Sequence, residues 1–175
     1  MLIRPPTFQD ASALAHIHVE TWRSQYRGIV AQEILDGLDE KDSQTRWESA
    51  ISNRVPPDSF VLVAEEAQQV VGFVSGGPIR EPIEGFTAEL YAIYILPSAQ
   101  KKHIGKQLVR EFTLELQRRN FHDLVVWVLE ANSSRAFYER LGGKLLGRKV
   151  IEGGRANGLA EVSYGWDDIS ILAAE

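Results

Sequence analysis

The sequence contains no cysteine, which excludes a disulfide scaffold, a thiol nucleophile and a thiolate metal site. It also lacks any run near the ~18 consecutive apolar residues that a membrane-spanning helix requires. The opening residues, MLIRPPTFQD, carry no apolar segment of the kind found in secretory signals. A cytoplasmic location with no membrane partner is therefore the expectation. Basic charge is scarce: 19 Lys and Arg stand against 24 Asp and Glu, leaving a net charge of −5. Nucleic-acid affinity depends on neutralising phosphates, so no nucleic-acid partner is expected. Neither G-x-x-x-x-G-K-[S/T] nor G-x-G-x-x-G occurs, which disfavours P-loop and dinucleotide-binding readings. No repeat, low-complexity tract or linker divides the chain, and residues 1–175 are expected to form one domain.

What the chain does have is 44% hydrophobic and 25% charged residues, ordinary for a globular fold. LIRPPTFQD reads as a short strand and a turn. Helical spacing of Leu14, Ile17, His18, Thr21 and Trp22 predicts a helix over 10–26, with Asp10 as its N-cap. Shorter helices are predicted over 31–38 and 43–51. Residues 59–67 and 68–77 look like neighbouring antiparallel strands joined by a polar turn. A strand over 88–96 precedes a helix in which Ile104, Leu108, Phe112 and Leu116 recur every four residues. DLVVWVLE (123–130) is apolar almost throughout, the mark of a strand buried on both faces. NSSRAFYERLGG predicts a short helix with Asn132 as N-cap and Gly142 as stop. The last third predicts two strands around a glycine-rich loop at 152–158. The order implies an α/β (or α+β) fold with a mixed sheet, and a parallel crossover between 88 and 130.

Where the strand over 88–96 gives way to its helix, Lys101, Lys102, His103 and Lys106 surround Gly105. A helix start leaves four N–H groups without partners and carries partial positive charge. A phosphate there satisfies both, although the same lysines also fit an ordinary solvated helix start.

ILPSAQKKHIGKQLV resembles the acyl-CoA pyrophosphate loop of the GNAT superfamily of N-acetyltransferases. Gln100 fills the first motif position and Gly105 the last, whereas His103 stands where the family has a glycine. LEANSSRAFYERLGG is similar to the second family signature, with Asn132, Ala136, Phe137, Tyr138 and Gly142 in register. AELYAIYILP resembles the central strand. The resemblance implies a single GNAT-like domain whose six- to seven-stranded, mostly antiparallel sheet is flanked by helices and splayed between its two central parallel strands. It implies acetyl-CoA as co-substrate, with no metal. It places the pantetheine arm against Ile93, Tyr94 and Ile95, and the diphosphate against Gln100, Lys101, Lys102, His103, Ile104, Gly105 and Lys106. Asn132 and Phe137 complete the cofactor site.

Acetyl transfer to an amine needs a polarised carbonyl, a deprotonated amine and a proton for the departing thiolate. The resemblance makes Tyr138 the general acid. The base stays open among Glu89, Glu130 and none. Glu89 lies four residues before Ile93, ~13 Å along an extended strand. The acceptor side implied by the family brings in Glu20, Trp22, Tyr26, Glu33 and the 152–158 loop. Acid beside aromatic rings suits a cationic amine, while Trp22 and Tyr26 fit a core role equally well. His16 and His18, two apart on a helix, cannot share a metal ion. The expected activity is N-acetylation of a small-molecule or peptide amine. The alternative is a non-catalytic acyl-CoA sensor. Apolar residues on the last strands suggest a homodimer.

Overall fold

The structure, a computed structural model, describes residues 1–53 and 58–174. Seven strands form one mixed sheet: β1 (Leu2–Arg4), β2 (Phe60–Glu66), β3 (Gln69–Ile83), β4 (Phe86–Ile95), β5 (Leu124–Leu129), β6 (Lys144–Val150) and β7 (Ala160–Trp166). Their spatial order is β1-β2-β3-β4-β5-β7-β6, and only the β4–β5 pair is parallel. The helices are α1 (Ala11–Gln25), α2 (Gln32–Asp36), α3 (Glu40–Asn53), α4 (Ile104–Arg118), α5 (Arg135–Arg140) and α6 (Ser170–Ala173).

Strand alternation decides which helix covers which face. Leu62, Ala64, Val74, Leu90, Val126 and Val162 pack with Leu108, Phe112 and Leu116 of α4. Val63 and Phe73 point to the opposite face and pack with Leu14 and Ile17 of α1. The β2–β3 hairpin turns on Ala67 and Gln68, both left-handed at φ 48° and 63°. That is the backbone a tight two-residue hairpin needs.

Two caps differ from expectation. Asp10 precedes α1, but its carboxylate makes no cap bond. It accepts instead from Arg4 at 2.8 and 3.0 Å and from the Thr7 backbone N–H at 2.6 Å. Asn132 likewise does not cap α5. It closes a turn by accepting from Ser134 N–H at 2.9 Å, and the helix starts three residues later. Gly142, at φ 81°, ends α5 as predicted, with Gly143 N–H returning to the Tyr138 carbonyl. β3 runs six residues beyond the expected end at Gly77.

The feature that builds the site is a parting in the sheet. β4 pairs with β3 as far as Ile95, but with β5 only at Glu89↔Val125 and Leu90↔Val126. Opposite Ser75 and Gly76, Tyr91 is an extra residue in β4, between Leu90 and Ala92. Such a bulge bends and twists its strand. Beyond it the two half-sheets separate, and the β5-facing edge of β4 from Tyr91 to Ile95 has no strand partner among the described residues.

Candidate active site

The N-terminus of α4 stands at the open end of this parting. No side chain caps it, and its N-cap residue His103 lies in the left-handed region at φ 63°. Lys101 is left-handed too, at φ 62°. The backbone therefore takes at His103 a conformation that glycine adopts freely and other residues at a cost of about 1–2 kcal/mol. Gly105 owes its identity to close packing: a Cβ there would stand 3.3 Å from both Ile95 Cδ1 and Phe137 Cζ. Ile104 is buried in the core, so only its main chain faces the loop. Lys101, His103 and Lys106 are exposed, while Lys102 approaches Glu66 at 3.5 Å. Gln100 donates its amide to the Ile95 carbonyl at 3.0 Å, tying the loop to the end of β4.

Deeper in the parting, aromatic side chains from three elements meet. Trp22 Nε1, on α1, donates to the Tyr94 hydroxyl at 3.0 Å. The Tyr26 hydroxyl reaches both Tyr94 and Asn132. Trp22 and Tyr26 meet edge to face at 4.7 Å, and His18 stacks on Tyr94 at 5.6 Å. Tyr138, buried in the second half of α5, stacks on Tyr164. Burial, then the neighbouring Tyr94 phenol, raises the Tyr138 pKa above the ordinary phenol value, so it holds its proton throughout the neutral range. Burial, reinforced by Arg155 and Arg46, pushes His18 down to about 4. His18 is thus neutral at pH 7, and His16 pairs separately with Glu40 at 2.9 Å.

The carboxylates divide by position. Glu89 is buried on the first of the two rungs of the β4–β5 ladder. It accepts from Arg80 Nε at 3.2 Å, from the Arg80 backbone N–H at 3.0 Å and from Arg80 Nη2. Glu130 lies at the surface, where Arg148 engages both its oxygens and holds it below the usual carboxylate range. Glu20, half-exposed on α1, approaches Arg23 at 3.6 Å. The glycine-rich 152–158 loop sets Arg155 over the Trp22 ring at 5.9 Å. Sequence reasoning missed Arg80 because the strand was expected to end at Gly77, three residues before it. The only signal was a lone arginine two residues from Pro78. It also missed the Tyr94 phenol, having singled out only that residue's main chain.

A mixed sheet parted between its parallel strands, with an uncapped, lysine-flanked helix start at its open end, is the arrangement that the GNAT resemblance implies. The chain belongs to the Acetyltransferase (GNAT) family, whose family model matches residues 14–143. An uncharacterised N-acetyltransferase of Bacillus subtilis (strain 168), YuaI, is 32% identical over 97% of this chain and 95% of its own. Among solved structures, the ribosomal-protein-alanine N-acetyltransferase from Brucella melitensis aligns with a TM-score of 0.71 and 27% identity, covering 95% of this chain and 99% of that one. The PaiA N-acetyltransferase from Thermoplasma acidophilum, solved in complex with coenzyme A, aligns at 0.70 and 22%, covering 94% and 98%. The protein is therefore a GNAT-type N-acetyltransferase that uses acetyl-CoA. Its own residues fit that co-substrate: an unpaired strand edge for an extended chain, leading to an uncapped helix start for an anion.

Proposed function

We propose that the protein transfers an acetyl group directly from acetyl-CoA to a primary amine of a small molecule or peptide, with Tyr138 as general acid and Glu89 as proton acceptor. Acetyl-CoA supplies an activated acyl carbon and a thiolate leaving group. The β5-facing edge of β4 around Ile93, Tyr94 and Ile95 pairs with the pantetheine arm. The N–H groups of Ile104, Gly105 and Lys106 bind the diphosphate, aided by the Lys101, Lys102 and Lys106 side chains and the exposed His103 ring. Gln100 and Phe137 hold this loop in shape from beneath. The amine nitrogen bonds to the acyl carbon as the carbon–sulfur bond breaks. Tyr138 protonates the sulfur and regains a proton from solvent, and the amine's proton passes to Glu89 through water. Asn132 and Tyr26 orient the phenols around the reacting centre. Trp22 and Tyr26 form the aromatic wall on the acceptor side, with Glu20 at its outer rim.

The observation that carries this reading is the buried, protonated Tyr138 phenol beside Tyr94 and Tyr26, where β4 and β5 have separated. Tyr138→Phe tests it in a thiol-release assay over polyamines, amino acids, peptides and aminoglycosides. The expected result is a kcat at least ~100-fold lower with unchanged coenzyme A affinity. Absence of turnover in both forms across the panel, with coenzyme A still bound, favours the sensor instead. We also propose a homodimer through the edge strand β6, on which Leu145 and Val150 are more than half exposed. Light scattering at a few concentrations checks it.

A further inference from the structure

Glu89 and Arg80 form a lopsided pair: the carboxylate side chain is 3% exposed and the guanidinium 52%. A buried carboxylate needs a cation beside it. This cation comes from the solvent side, on the irregular end of β3. The β3–β4 register breaks between Pro78 and Ile83, so Arg80 lies in a stretch outside the ladder. The guanidinium rests on the Tyr91 ring at 4.5 Å, and that ring is fixed by its hydroxyl donating to the Pro78 carbonyl at 2.6 Å. A second carboxylate is near enough for Arg80 to feel: Glu161 on β7, which Lys149 of β6 approaches at 3.5 Å. Glu89 also lies at the closed end of the parting, two residues before the bulge at Tyr91.

We infer that Arg80 is a resident stand-in for the acceptor's ammonium group, held on Glu89 and Tyr91 in the free protein and displaced toward Glu161 when the acceptor arrives. The inference rests on the proposed role of Glu89 and deepens it by naming the acceptor class. A buried carboxylate beside an aromatic face selects an aliphatic primary amine that reaches the site charged. The amine passes one proton through Glu89 to solvent before it attacks, and the proton released on attack follows the same route. An arylamine, neutral at pH 7, leaves Glu89 without a cation once Arg80 has moved, and is disfavoured. Because binding requires exchange of one cation for another, Arg80 raises the apparent KM for the amine without touching the cofactor.

The test compares wild type with Arg80→Ala and Arg80→Lys in steady-state kinetics and thermal melts, with 10 mM guanidinium chloride as a probe. The expected result is a fall of at least fivefold in amine KM for Arg80→Ala, with the acetyl-CoA KM unchanged. Guanidinium then inhibits that variant competitively against the amine and raises its melting temperature, while leaving the wild type unaffected on both counts. An amine KM that is unchanged or higher, with no response to guanidinium, overturns the inference and leaves the pair a structural brace. If Arg80→Ala does not fold, Arg80→Lys answers the same question: its ammonium keeps the charge but loses the fork, and the amine KM falls at least twofold. No fall overturns the inference. Should no amine be turned over by any form, the proposed function fails. The guanidinium-dependent melting shift still decides whether Glu89 binds an exchangeable cation.

Discussion

Trp22 Nε1 donates to the Tyr94 hydroxyl over 3.0 Å, joining residues 72 apart in the chain and tying α1 to β4 just beyond the point where β4 leaves β5. The wall proposed for the acceptor and the strand proposed for the cofactor are thus one unit. Tyr94 also touches His18, Phe73 and Tyr26, so the contact is reinforced from three sides.

Trp22→Phe keeps the ring contact and deletes the bond. A neutral hydrogen bond of this kind contributes about 1 kcal/mol, so the melting temperature falls by ~2–4 °C for a chain of this size. The amine KM rises while the acetyl-CoA KM stays the same. Calorimetry and two-substrate kinetics check both halves.

His103→Gly addresses the departure from the family loop. The backbone at His103 is already left-handed, so glycine relieves about 1–2 kcal/mol of steric cost and loses about 0.5–1 kcal/mol to greater freedom when unfolded. The loop path does not change. Coenzyme A affinity is expected to stay within about threefold, well under the 1.4 kcal/mol of a tenfold change. A tenfold gain shows instead that the imidazole crowds the phosphates.

His18 gives stability a pH dependence with a definite sign. Its folded pKa is about 4 against an ordinary value of 6.5, so between those values the unfolded chain binds the proton and the folded one does not. Its contribution to stability is therefore complete above pH 6.5 and is lost as the pH falls toward 4, by up to about 3 kcal/mol. His18→Phe keeps a ring stacked on Tyr94 and removes the proton. Urea unfolding at pH 7 and pH 4.5 is expected to show a smaller acid loss for the variant than for wild type.

The family was legible because the two motifs that carry the resemblance are each local. The strand–loop–helix from Tyr91 to Phe112 and the segment from Asn132 to Gly142 carry their meaning in residue types a few positions apart. Gly105 was legible as a glycine but not for its physical reason, which is contact with Ile95 and Phe137 from two other elements. Helix starts were misread where a polar side chain had a better offer. Asp10 is taken by Arg4, and Asn132 by the turn before α5. The Arg80–Glu89 pair was hidden because β3 continues through Pro78 and leaves the ladder there, a course that composition does not announce. The aromatic cluster depends on separations of tens of residues, which no periodicity encodes.

The most direct test of the account is isothermal titration of the folded wild-type protein with coenzyme A at two salt concentrations. The account predicts one site per chain, with affinity that weakens as salt rises because the diphosphate lies against the α4 start and its lysines. No heat of binding from well-folded protein at either salt concentration contradicts it.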